Sequence, residues 1–291
     1  MSLKVDDGRT GDEKGETLPA FQTFYHEFEG YAVLDRLTDV GVCFLVWTLF
    51  AGISFASAGE AKDEPQSKSL RAGIIGLDTS HVTAFTKLLN APNPKPELEG
   101  VRVVAAYPGG SPDIASSRDR VAGYTNEVRD KFGLSIVGSI EELLANVDVV
   151  LLESVDGRPH LEQARPVFRA RKPVFIDKPL AGSLADAIEI MRLAEESHTP
   201  CFSSSSLRYS PKIIAVKDDP KIGAILGCDA FSPCALEEHH PDLFWYGIHG
   251  VETLFTLMGT GCEKVSRLQT KDTDLVSGVT VLMPAAGATA E

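Results

Sequence analysis

Two short stretches constrain what this chain can fold into more than any other part of it. Ala72-Gly73-Ile74-Ile75-Gly76 is an apolar run that breaks at a glycine, and Pro173-Val174-Phe175-Ile176 is a second that runs into Asp177-Lys178-Pro179. Short apolar runs bounded by turn residues read as buried strands, and with helical patterns between them as strands of one parallel sheet. Ligands of open α/β sheets bind beyond the carboxyl ends of the strands. Both runs therefore carry their last residues to one crevice. A lysine held there is a candidate acid or base, because a buried lysine can give up its proton where an arginine cannot.

The stretch between and around these runs alternates. Strands are expected at 71–75, 101–107, 134–137, 147–152, 173–176 and 201–205, separated by helices at 80–89, 115–132, 139–145, 159–170 and 184–197. Ser139 is placed to cap the third helix, with Glu141 and Glu142 in its first turn. Such alternation implies right-handed βαβ units, so the fold class is α/β, a Rossmann-like doubly wound parallel sheet over 69–205. The pattern then changes to a helix at 210–218, a strand at 225–231, an amphipathic helix at 245–259 and mostly strand over 262–283. This reads as a partial α+β substrate domain over 206–291, ending in a tail at 284–291 and cut short at its C-terminus.

Residues 1–68 are expected to lie outside the fold. The segment 40–55 (VGVCFLVWTLFAGISF) is almost wholly apolar and is followed by Ala56-Ser57-Ala58, the small-x-small pattern of a signal cleavage site. The acidic, polar lead over 1–39 departs from the short positive start of a signal. Either translation begins near Arg36, or 40–55 is an uncleaved anchor. Both readings export the body, to the periplasm or the medium. A buried core helix is the plainer alternative for this segment. Residues 61–69 read as a polar linker.

The formal charge of -13 over 291 residues, with no lysine- or arginine-rich run, sets nucleic acid aside as a partner. The five cysteines are widely spaced, without a C-x-x-C pair or a Cys/His cluster at zinc spacing, so no metal is expected and free buried thiols are the simplest reading. His239 and His240 are adjacent and point to different sides of an extended segment, which argues against a two-histidine metal site.

Several pieces occur together in one order. They are Gly73-Ile74-Ile75-Gly76, Val147-Asp148-Val149-Val150 before a helix carrying His160, Asp177-Lys178-Pro179-Leu180, Arg208-Tyr209-Ser210-Pro211 and Gly247-Ile248-His249. With these the chain resembles the Gfo/Idh/MocA oxidoreductases over about 70–280. The resemblance implies an NAD or NADP cofactor on the first domain and a sugar or cyclitol hydroxyl as the reacting group. It makes Lys178 and His249 the catalytic pair facing each other across the cleft. It assigns Gly73, Gly76, Asp78, Ser80, His81, Ser154, Asp177 and Lys178 to the cofactor, and Lys178, Arg208, Asp242, Tyr246 and His249 to the substrate. The plain alternatives are a surface lysine ending a strand for Lys178 and a satisfied histidine on a buried helix face for His249. A homo-oligomer is left open.

Departures from the family pattern bear on the cofactor. The three glycine positions of the phosphate-binding turn are Gly76, Asp78 and His81 here. A carboxylate at the second repels a diphosphate, and if Asp78 caps the helix through the amides of Ser80 and His81 it takes the anion site itself. The second strand ends in Tyr107-Pro108-Gly109-Gly110 without the ribose-binding acid, and Arg118 or Arg120 stands where a 2'-phosphate would be met. Trp245 replaces the family's aspartate before Gly247, and Glu252 stands where a second one often lies. Two other functions stay beside the oxidoreductase reading. One is a redox-neutral sugar-modifying enzyme with tightly held NAD, favoured by export because free NAD is scarce outside the cytoplasm. The other is a non-catalytic carbohydrate-binding protein on a degenerate Rossmann scaffold.

Overall fold

Alternating strands and helices pair into one parallel sheet, as the apolar runs require. The computed structural model describes residues 3–4, 69–260, 262–269 and 277–282. The apolar segment 40–55, Ala56-Ser57-Ala58 and the tail 284–291 lie outside the described residues. The described chain divides into two compact units, 69–204 with 237–245, and the rest from 205 onward together with 3–4.

In the first unit, β1 (Leu70–Ile75), α1 (His81–Leu89), β2 (Val101–Tyr107), α2 (Ala115–Phe132), β3 (Ser135–Ile136), α3 (Ile140–Asn146), β4 (Val149–Leu152), α4 (His160–Arg169), β5 (Val174–Asp177), α5 (Leu184–Glu196) and β6 (Cys201–Ser204) follow one another. The sheet order is β3-β2-β1-β4-β5-β6, every pair parallel. This is the doubly wound order in which the chain reverses direction beside β1. The central strands are buried on both faces, β5 along its whole length, which is why they read as unbroken apolar runs. Leu143, Val147, Val150, Leu152, Val174 and Ile176 form the centre of the core.

Local chemistry sets the helix ends. Ser139 Oγ accepts from the Glu142 amide, and Ser183 Oγ caps α5 through the Asp186 amide. Gly133 closes α2 at φ 69°. Gly73 lies inside β1, where a Cβ would stand 2.9 Å from Val147 and 3.0 Å from Leu143, so its bareness lets α3 seat against the strand.

The second unit holds α6 (Pro211–Asp218), α7 (Ile248–Met258) and an antiparallel pair of β7 (Lys264–Gln269) and β8 (Ser277–Leu282). The strand expected over 225–231 is reduced to Asp229–Ala230, paired with Leu3–Lys4. The helix expected from 245 begins only at Ile248, after a 3-10 turn at Asp242–Phe244. Among the described residues no helix is long and apolar enough to cross a membrane. The four described cysteines are free, and burial pushes the Cys201 thiol up to about 12.

Candidate functional site

Because β1, β4 and β5 are neighbours, the residues after each strand form one floor. The ladder continues past the strand ends, with the Gly76 amide donating to Tyr107 O at 2.9 Å, the Leu77 amide to Pro108 O at 2.7 Å and the Glu153 amide to Ile75 O at 2.7 Å. Gly76 turns at φ +90°, and a Cβ there would lie 2.4 Å from Ser154 Oγ and 2.5 Å from Ser154 N. Only glycine fits both the conformation and the space. Ser154 is itself held by Gln163 through its hydroxyl and by His160, which lies 2.8 Å from Ser154 O. Burial keeps His160 below its usual pKa, so it serves as a neutral bridge between the loops.

Asp78 does not cap α1. Its side chain is fully buried and turned the other way, accepting from Ser117 Oγ at 2.6 Å and from the Val155 amide at 2.9 Å. These partners are firmer than exposed helix amides, and burial still raises its pKa against their pull. The start of α1 is left without an Ncap side-chain bond or an acid in its first turn, and Thr79 Oγ1 reaches the His81 amide at a long 3.4 Å. Such a helix start attracts an anion. The fit for a diphosphate is therefore at the amides of α1, with Asp78 withdrawn beneath them.

The loops flanking this turn are tied together. Ser111 Oγ donates to Asp156 at 2.5 Å, and Arg158 bonds both Asp156 and Asp113. Burial works against the Asp156 charge, but bonds from His240, Arg158 and Ser111 hold its pKa low. His240 lies 3.1 Å from Asp156 and 2.9 Å from Glu237. Ile114, Val155 and Trp245 close an apolar patch between the same loops, with 237–245 returning to the first unit to supply Trp245.

The other half of the floor is charged. His81 Nδ1 lies 2.7 Å from Asp177 Oδ2 and 3.9 Å from Glu153 Oε2. Glu153 is fully buried, and neither of its oxygens has a hydrogen-bond partner among the described residues. Burial, then the charges of Asp177 and Asp78, push its pKa well above the carboxylate range. Asp177 goes the other way: burial opposes its charge, yet the His81 ring and Lys178 hold it down to about 2. Lys178 is 6 % exposed, with Nζ 6.0 Å from the centre of the Trp245 ring, a cation–π distance.

The expected cofactor residues thus separate. Gly76, Ser154, Asp177, Lys178 and His81 gather at the strand ends, Ser80 is exposed at the start of α1, and Gly73 is committed to packing inside β1. Asp148 pairs with Arg71 at the opposite end of the sheet. Arg118 bonds Asp119 and Pro112 O. In the second unit His249 Nδ1 lies 2.7 Å from Ser205 Oγ and stacks edge-on with Tyr246, while Arg208 and the Ser205 amide both bond Glu252. Asp242 opens a 3-10 turn, and its side chain lies outside the described part. Sequence reasoning missed Glu153, Ser111, Ser117 and Asp156. Glu153 had a signal, an acid directly following an apolar parallel strand at its carboxyl end. Ser111 and Asp156 are loop residues and Ser117 lies in the first turn of α2, with partners 39 or 45 residues away along the chain.

Residues 70–204 match a family described as an oxidoreductase family with an NAD-binding Rossmann fold. A 1,5-anhydro-D-fructose reductase from Ensifer adhaerens is 31% identical over 130 residues, 43% of this chain and 38% of that protein. A 4-carboxy-2-hydroxymuconate-6-semialdehyde dehydrogenase from Sphingobium sp. is 34% identical over 102 residues, 34% of this chain and 32% of that protein. The chain thus spans well under half the length of these relatives. Among solved structures, a dehydrogenase from Clostridium difficile superposes with a TM-score of 0.55 at 17% identity, covering 75% of this chain and 68% of the other. An oxidoreductase from Agrobacterium radiobacter, solved with NAD+, L-tartaric acid and magnesium, gives 0.53 at 16% identity, covering 75% and 64%. At these identities the likeness is one of fold.

Proposed function

We propose that this chain, whose residues 70–204 belong to the Gfo/Idh/MocA oxidoreductase family, is an NAD(P)-dependent oxidoreductase acting on a hydroxyl-bearing carbon of a sugar or cyclitol. The observation that carries the reading is the buried Lys178 at the carboxyl end of β5, beside Asp177, whose carboxylate lies 2.7 Å from His81 Nδ1. When bound, the nicotinamide supplies the hydride acceptor or donor. Hydride leaves carbon only as the hydroxyl loses its proton, and the Lys178 amine is the group placed to hold that proton. Asp177 stays ionised beside it, with His81 at the more open edge of the cluster. The amides at the start of α1, which have no acid in the first turn, would hold the diphosphate.

The test is direct. Purified protein is titrated with NAD and with NADP by calorimetry, and turnover on a panel of sugars and cyclitols is followed through nicotinamide absorbance. Lys178→Ala is expected to lower turnover by about a hundredfold or more with cofactor affinity unchanged. A bound cofactor without net redox turnover would make the enzyme the redox-neutral kind. The buried carboxylates of Asp78 and Asp156 and the tied loops above them favour a second reading, a carbohydrate-binding protein on the same scaffold. Sugar binding with no response to either dinucleotide would select it. Export rests on the composition of 40–58, and N-terminal sequencing of the mature protein should find a start near Gly59.

A further inference from the structure

We propose that His81, Glu153 and Asp177 together hold a divalent cation of the zinc type. The inference goes beyond the oxidoreductase reading and does not depend on it. Their ligand atoms, His81 Nδ1 and one carboxylate oxygen from each acid, all lie within 4.8 Å of one another, with His81 Nδ1 2.7 Å from Asp177 and 3.9 Å from Glu153. A tetrahedral ion about 2.1 Å from each ligand spaces them by about 3.4 Å, a value these distances bracket. Shifts of about an ångström complete the site. The three residues come from the start of α1 and from the ends of β4 and β5, all fixed by the sheet.

Glu153 is what points to a ligand. Its carboxyl group is wholly enclosed, and both oxygens lack a hydrogen-bond partner among the described residues. A buried carboxylate without a hydrogen-bond partner is costly. A cation answers both oxygens' need at once and offsets the crowding of Glu153, Asp177 and the nearby Asp78. One imidazole and two carboxylates suit zinc, cobalt or manganese better than calcium, and three protein ligands leave a position open for water or a substrate oxygen. His81, whose side chain is 35 % exposed, gives the ion its way in.

Full-length protein stripped with chelator is titrated with Zn2+ and, separately, with Co2+, whose visible absorbance reports coordination number. One cation per chain, with a four-coordinate cobalt spectrum, is expected. Glu153→Gln and His81→Ala should each weaken binding at least tenfold. If Glu153→Gln fails to fold, Asp177→Asn takes its place with the same expectation. Absence of stoichiometric binding by the parent protein at micromolar metal overturns the proposal. So does binding that survives both substitutions unchanged, which would put the ion elsewhere.

Discussion

Replacing Glu153 by Gln in the metal-free protein should stabilise it, and by an amount that grows with pH. In the folded state burial and the neighbouring charges of Asp177 and Asp78 raise the Glu153 pKa well above the ordinary 4.5. The unfolded chain gives up this proton near 4.5, while the folded chain keeps it to higher pH. Between those two values the folded state binds more protons, so stability falls as pH rises, by about 1.4 kcal/mol for each pH unit. Below pH 4 the acid is protonated in both states and the slope vanishes. Gln fills nearly the same volume and does not titrate. From pH 4.5 to pH 7 the interval caps the gain at roughly 3 kcal/mol, several degrees of melting temperature for a protein of this size. Urea unfolding of parent and variant at a series of pH values, with chelator present, measures it. Stability curves that run parallel from pH 4 to pH 8 would refute the reasoning. With zinc present the order should reverse, since the variant forfeits the stabilisation the cation gives to the folded state.

Two further substitutions probe the turn. Gly76→Ala should destabilise by about 3 kcal/mol or more in thermal unfolding, since φ is +90° and the new Cβ meets the Ser154 backbone at 2.5 Å. Asp78→Gly removes the acceptor of the buried Val155 amide and should cost about 1–3 kcal/mol, whereas Asp78→Asn keeps a carbonyl oxygen there and should cost less while removing a charge. If urea unfolding puts Asn below Gly, then Asp78 is held in place by its charge and not by its geometry.

How much of this was legible in the sequence depends on the range of the interaction. The strands and helices of the first unit were readable because each is set locally, by apolar runs between turn residues and by caps such as Ser139. The Gly76 turn was readable for the same reason. The direction of Asp78 was not, because its partners Ser117 and Val155 lie 39 and 77 residues away and only the folded sheet brings them near. The return of 237–245 to the first unit escaped for a related cause: Trp245 and His240 are drawn by Ile114, Val155 and Asp156, which no local pattern reveals. The expected elements differ over 225–231, where a two-residue bridge replaces the strand, and over 245–247, where a turn following the 3-10 helix at Asp242–Phe244 delays the start of α7. The floor of the crevice was half visible. Asp177 and Lys178 end an apolar strand in a recognisable motif, while Glu153 ends one equally apolar and nothing local marks that its carboxyl group is enclosed without hydrogen-bond partners among the described residues.

The two halves of that floor should communicate through charge. A diphosphate at the amides of α1 brings negative charge toward the ionised carboxylate of Asp177, and this repulsion weakens its binding. A cation held by His81, Glu153 and Asp177 supplies two positive charges where they are missing, so it should tighten dinucleotide binding. Linkage then fixes a second quantity without further assumption: whatever factor zinc contributes to dinucleotide affinity, the dinucleotide must contribute to zinc affinity. Calorimetric titrations around the four-cornered cycle measure both arms, and several-fold gains of equal size are expected. Lys178 lies on the same floor and tempers the repulsion, so Lys178→Met should enlarge the factor by leaving more negative charge for the cation to offset. A dinucleotide affinity that is the same with and without zinc would mean that the two sites are electrostatically separate. A loss of affinity on adding zinc would mean that the ion occupies the space the dinucleotide needs.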